Sequence, residues 1–174
     1  MYALRSTLLG QPIISLQTGQ IVAWVAEPIL EVTTLEVVAL MVSAPHAKHD
    51  LILICRDIRQ YAADCVIIDD EDELTDPDDI ARLASSLKAH YSPMGKPVNT
   101  EAGQRLGMVE DYSINLETSR IQKLHVRRPF FKSIFGPSLI IDRTQIVDIT
   151  PERITVRDTT TKSPAIQAES IPEI

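Results

Sequence analysis

The chain carries few residues of the kinds that do covalent or metal chemistry. Its 174 residues include four histidines, His46, His49, His90 and His125, and two cysteines, Cys55 and Cys65. His46-x-x-His49 has a spacing at which two imidazoles can share a metal, and this pair is the candidate for a metal-binding or enzymatic role. No Cys or carboxylate motif accompanies it, and a metal site needs three or four ligands. Within Ala44-Pro45-His46-Ala47-Lys48-His49-Asp50 the pair reads as part of a polar surface loop. Two cysteines make neither a disulfide scaffold nor a metal cluster, and with no His beside them they read as free thiols in strands. The acidic run Asp69-Asp70-Glu71-Asp72-Glu73, continued by Asp76, Asp78 and Asp79, lacks the alternating ligands, central Gly and closing Glu of a calcium loop. It reads as a solvated segment. No Gly-x-Ser-x-Gly and no phosphate loop offers a nucleophile or a nucleotide cradle. The residues predict no enzyme and no cofactor.

One stretch points to binding instead. Val126-Arg127-Arg128-Pro129-Phe130-Phe131-Lys132-Ser133-Ile134-Phe135-Gly136-Pro137 holds all three Phe of the chain together with three cations, and Arg120 and Lys123 precede it. Phe and Arg are favoured anchors at protein interfaces. They also grip RNA by stacking and phosphate contact. The candidate contact set is Arg120, Lys123, Arg127, Arg128, Phe130, Phe131, Lys132 and Phe135. The competing reading puts the three Phe in a seam between domains, because three exposed together form a costly apolar patch.

The elements that must position these residues are strands. Apolar residues make up 44% and aromatics 5%, so the core is Val, Ile and Leu. Net charge is −7 and uneven: residues 1–93 hold 6 Lys+Arg against 14 Asp+Glu, while residues 94–174 hold 11 against 10. A protein that coats nucleic acid is basic overall, so contact with RNA would have to be local. No apolar run approaches the roughly 20 residues that span a bilayer, which predicts no integral membrane segment. Met1–Ser6 shows no basic n-region leading into a long apolar stretch, so a cytoplasmic protein is expected.

Two stretches match each other. Leu9-Gly10-Gln11-Pro12-Ile13 falls on Met94-Gly95-Lys96-Pro97-Val98, and a one-residue gap then puts Gly19 on Gly103, Val25 on Val109, Glu27 on Asp111, Leu40 on Leu124 and Val42 on Val126. Leu51-Ile52-Leu53 falls on Leu139-Ile140-Ile141, Ile58 on Ile146, Val66 on Ile154 and Cys55 on Arg143. Residues 9–70 and 94–158 thus read as copies of one unit, each too small to bury much surface alone. Leu35–Val42, Leu51–Ile54, Val66–Ile68, Ile121–Val126, Leu139–Ile141 and Ile154–Val156 read as strands. Asn115–Thr118 reads as a hairpin turn with Asn at positive φ, and Thr150-Pro151-Glu152 as another turn. Gly10, Gly19, Gly95 and Gly103 sit where a small barrel bends. Asp76 as N-cap, Pro77 at the first position and the spacing of Ile80, Leu83, Ala84 and Leu87 predict a helix over about 77–90.

The repeated unit resembles the PRC-barrel family, known from the cytoplasmic domain of the photosynthetic reaction-centre H subunit and the C-terminal domain of the ribosome-maturation factor. The resemblance rests on Gly95-Lys96-Pro97-Val98, Gly103-Gln104-Arg105-Leu106-Gly107-Met108-Val109-Glu110-Asp111, Asn115–Ile121, Ile146 and Ile154–Val156. The first copy departs from it: Ala23 stands for the second Gly, Glu27 for the Asp, Thr33-Thr34 for the polar turn, and Pro28 is expected to interrupt the strand. The resemblance implies two small β-barrels in tandem, copy one at 1–70 and copy two at 94–158; the residues between them, 71–93, read as an acidic helical linker, and residues 159–174, with two prolines and no periodicity, as a mobile tail. It implies a non-enzymatic binding or assembly module with a protein partner. The alternatives are a ribosome-assembly or RNA-associated factor, and a metal protein or enzyme using His46 and His49. Exposed strand edges on copy one would also allow a homodimer.

Overall fold

The structure, a computed structural model, describes residues 1–79, 91–128 and 138–158. The fold is mainly β, a single curled sheet forming a half-barrel. In the first half the strands are β1 (Tyr2–Leu4), β2 (Pro12–Ser15), β3 (Ile21–Glu31), β4 (Glu36–Ser43), β5 (Leu51–Ile54), β6 (Ile58–Tyr61), β7 (Val66–Ile68) and β8 (Leu74–Thr75), with one helical turn, α1 (Arg5–Leu8), after β1. The second half holds β9 (Pro97–Thr100), β10 (Arg105–Asn115), β11 (Arg120–Arg127), β12 (Ser138–Asp142), β13 (Ile146–Ile149) and β14 (Ile154–Val156). The main path of the sheet runs β13-β14-β9-β10-β11-β4-β3-β2-β7-β6.

Matched strands pair in matched registers. β2 lies antiparallel to β3 with Pro12 opposite Trp24, and β9 lies antiparallel to β10 with Pro97 opposite Met108. β2 is parallel to β7, Ile13 beside Val66, and β9 is parallel to β14, Val98 beside Ile154. Both long hairpins slip by one residue at the same place, between Val25 and Glu27 and between Val109 and Asp111. Such bulges bend a strand and raise its twist, which is what curls the sheet.

The two halves meet through β4 and β11. Glu36 stands opposite Arg120, the Val37 amide donates to the Ser119 carbonyl at 2.6 Å, and the Ile121 amide donates to the Leu35 carbonyl at 3.0 Å. A strap formed by β1 and α1 adds a second tie. β1 pairs with β10, Ala3 opposite Ile114, and Leu8 plugs the core at 2% exposure. Arg5 Nε donates to Glu27 Oε1 at 2.8 Å, and the Ser6 hydroxyl donates to Asp111 Oδ2 at 2.5 Å. Glu27 and Asp111 occupy the matched bulges of β3 and β10. The main core cluster contains Leu40 and Val42 from β4 as well as Leu124 and Val126 from β11, and Ile29, Ala39 and Ile52 form a second, smaller one in the first half. Nothing in the sequence reading singled out Tyr2–Leu8 as structured.

Other expectations need correction. Pro28 does not interrupt its strand: β3 runs unbroken over Ile21–Glu31 with Pro28 opposite Leu40, and among the described residues β4 is the one strand paired with it there, an edge position that tolerates Pro. The residue at positive φ in the β10–β11 turn is Ser119 (φ 52), matched by Leu35 (φ 53) in the β3–β4 turn, rather than Asn115. Asn115 contributes through its side chain, whose Oδ1 accepts from the Glu117 amide at 3.0 Å. In the segment read as a helical linker, Glu71–Glu73 is a 3-10 turn and β8 extends the sheet beside β5. Asp76 does cap, accepting from the Asp78 amide at 2.9 Å, over a 3-10 turn at Pro77–Asp79. The remainder of the expected helix, 80–90, and the tail at 159–174 lie outside the described residues.

Candidate functional site

The cations of the predicted contact set are spread along β11. Arg120 opens the strand and Arg127 closes it, about 23 Å apart at the rise of an extended strand. Arg120 is occupied: its Nε and Nη2 both donate to Glu36 Oε2 at 3.3 Å across the junction of the halves. Lys123, His125 and Arg127 alternate with buried Leu124 and Val126, so they share the outward face. Their cross-strand neighbours are Asp142, Ile140 and Ser138 on β12 and Ser113, Asp111 and Met108 on β10. The face is therefore mixed rather than uniformly basic. Lys123 lies opposite Asp142, whose carboxyl is held below its ordinary range chiefly by the Thr144 amide and hydroxyl, with Lys123 adding to the effect. Toward Arg127 the surface turns apolar, with Ile140 at 55% and Met108 at 36% exposure. Arg128 is half-buried at the end of this face. Phe130, Phe131, Lys132 and Phe135, and with them the seam reading of the three Phe, lie outside the described residues.

A cavity of about 640 Å³ opens where the halves meet. β4 and β6 form two of its walls, and the Leu116–Ser119 turn of the second half forms another. Cys55, Tyr61 and Ser119 converge there. Burial pushes the Cys55 thiol up to about 11, with the Tyr61 and Ser119 hydroxyls acting against it, and burial also raises the Tyr61 phenol. A thiol held protonated is a poor nucleophile. A smaller recess of about 320 Å³ includes Leu35, Arg143 and Ile149, which match Ser119, Cys55 and Tyr61. The sequence comparison could have found this contrast, because the alignment already sets Cys55 against Arg143.

His49 Nε2 lies 2.6 Å from Asp76 Oδ2, which ties the loop before β5 to the turn after β8. His46 does not join them in a metal-ligating cluster, and among the described residues no three His, Cys, Asp or Glu side chains are placed to share an ion. No helix among the described residues is long and apolar enough to cross a membrane.

Comparison with known proteins matches the PRC-barrel domain model to residues 88–162, a single copy that contains β9 to β14. The matched stretch takes in Lys123, Arg127 and the Met108–Ile140 surface. A search of curated proteins finds no match.

Proposed function

We propose that the protein is a non-enzymatic binding or assembly module that contacts a partner protein through the outward face of β10, β11 and β12. The observation that carries this reading is the placement of Arg127 beside exposed Met108 and near exposed Ile140, within the PRC-barrel domain at 88–162. Arg and Met are enriched in interface cores, and a cation beside large apolar side chains suits a partly desolvated contact. In the sequence the Phe-rich stretch 129–137 begins two residues beyond Arg127. Asp111 and Asp142 on the same face weigh against phosphate coating and make RNA the weaker reading.

We further propose that residues 1–70 are a second, diverged PRC-type unit, so that the molecule carries tandem units. The matched registers of β2, β3 and β7 with β9, β10 and β14 support this.

An affinity capture from native lysate tests the function, with wild type beside Arg127→Glu/Ile140→Asp and beside Phe130→Ser/Phe131→Ser. Variants whose melting curves match wild type are compared. Loss of one protein species from either variant is the expected result. Identical recoveries from all three would place the contact elsewhere, and recovery of RNA in a salt-sensitive manner would favour the RNA reading.

A further inference from the structure

The outward face of the β7–β2–β3 ribbon is apolar where its counterpart in the second half is polar. Cross-strand pairing places Gln60, Ile67, Ile14 and Ile21 in one row across β6, β7, β2 and β3. The matched row across β13, β14, β9 and β10 is Asp148, Thr155, Asn99 and Arg105. The inward neighbours Ile13, Ala23, Val66 and Ile68 are fully buried, which leaves Ile14, Ile21 and Ile67 facing out. Trp24 stands beside them at 40% exposure, opposite Pro12, and the hairpin tip adds Leu16 at 50% and Ile21 at 49%. The residue matching Leu16 in the second half is Glu101. The same backbone thus tolerates a polar row, so the fold does not require isoleucines here. Ile14 and Ile67 are half-buried and lie beside exposed Ile21, Leu16 and Trp24, and a clustered apolar surface of this kind marks a contact site.

The borders of the patch say what covers it. Asp64 lies in the β6–β7 turn at the Pro12 end, where the Gln11 side chain reaches the Ala63 carbonyl at 3.4 Å. At the other end the Gln17 amide donates to the Asp69 carbonyl at 3.1 Å, which puts Asp69 beside the hairpin tip, and the acidic run continues from it through Asp70, Glu71 and Asp72. Arg59 and Asp69 pair at 2.8 Å and offset each other, which leaves Asp70, Glu71 and Asp72 as the negative charge that follows. An apolar centre with acidic ends repels anionic lipid and nucleic acid and complements the opposite pattern.

We propose that this face docks a cationic segment of a partner protein, one that sets large apolar side chains between Lys or Arg residues. The surface is separate from the Arg127 face, so the protein would hold two partners, or two parts of one, at once. This inference goes beyond the contact proposed above and does not depend on it.

Trp24 is the single tryptophan of the chain, so its emission reports on this patch alone. The probe is a synthetic peptide of alternating Leu and Lys, set against a Leu–Glu peptide of equal length. The full chain is titrated with each. A saturable blue shift with the Leu–Lys peptide, absent with Leu–Glu, is expected. Ile14→Asn/Ile21→Arg/Ile67→Thr, which installs the residues of the matched row, should weaken binding at least about tenfold, a change of about 1.4 kcal/mol. Leu16→Glu, at an exposed tip where the fold is not at stake, should weaken it several-fold even if the triple variant fails to fold. Equal response to both peptides, no response to either, or wild-type affinity in the Leu16→Glu variant would overturn the proposal. A blue shift that grows with protein concentration alone would also overturn it, in favour of a second copy of this chain. A failed titration leaves the Arg127→Glu capture unaffected, so the two readings fail separately.

Discussion

At the scale of single residues, side-chain environment decides which reactive groups are usable. Cys55 shows this directly. At pH 8 a thiol at about 11 is ionised roughly one part in a thousand, against about one in ten at the ordinary value of 9.0. In a Cys65→Ser background, alkylation of Cys55 by iodoacetamide should therefore accelerate roughly 100-fold when the protein is unfolded. Equal rates in the two states would mean that the thiol is neither buried nor shifted. Glu31 is displaced in the opposite sense. The Thr33 hydroxyl and the Thr34 amide, each 2.6 Å from its oxygens, hold the carboxyl at about 2. A depressed carboxyl stabilises the fold above its unfolded value near 4.5, and this stabilisation is lost as pH falls toward 2. Denaturation midpoints measured from pH 6 down to 2 should decline less steeply for Glu31→Gln than for wild type.

At the scale of elements, matched strands with different residues have different tolerances. A Cβ on Gly107 would meet the Arg127 carbonyl oxygen at 2.1 Å, because β10 and β11 approach closely there. Its counterpart Ala23 is fully buried in β3 without such a demand on the chain. Gly107→Ala should cost about 1–3 kcal/mol by overpacking, read as a fall in the denaturant midpoint. No loss would show that β11 yields easily at Arg127. The β3–β4 turn illustrates the converse. Leu35 takes a left-handed conformation that costs about 1 kcal/mol, and its side chain, 1% exposed in the core, offsets that by burial. A turn-propensity rule points to Asn115, because it weighs the residue alone and not where the side chain lands.

At the scale of the molecule, the two halves share backbone hydrogen bonds, a strap and one core. Leu40 and Leu124, at matched places in β4 and β11, are both fully buried in that core. Leu40→Ala or Leu124→Ala should each cost about 2–5 kcal/mol. Each should shift a single cooperative transition, measured by circular dichroism during denaturation. A variant that split the curve, with one phase left at the wild-type midpoint, would mean that the halves unfold independently. A shared core also gives the two proposed faces a common frame, so a partner on the Arg127 face is expected to leave the Trp24 face in place.

Local pattern locates several of the strands, though not β1 in Tyr2–Leu8 or β8 in the stretch read as a linker. Leu51–Ile54, Val66–Ile68 and Ile154–Val156 are read to the residue, because short apolar runs between turn residues leave little choice. It also marked the bends: Gly10, Gly19, Gly95 and Gly103 all take positive φ, a conformation that few other residues adopt without strain. It marked Arg127 as a candidate contact through its chemistry alone. That Arg120 is spent on Glu36, that Asp111 and Asp142 interrupt the cations, and that Arg5 and Ser6 strap the halves together are properties of the folded chain. Arg120 and Glu36 are 84 positions apart and Ser6 and Asp111 are 105 apart, separations that local pattern cannot bridge. The apolar row Ile14, Ile21 and Ile67 was hidden for the same reason. Alternation along one strand says that two faces exist, but cross-strand register is needed to say which residues stand side by side on the outer one.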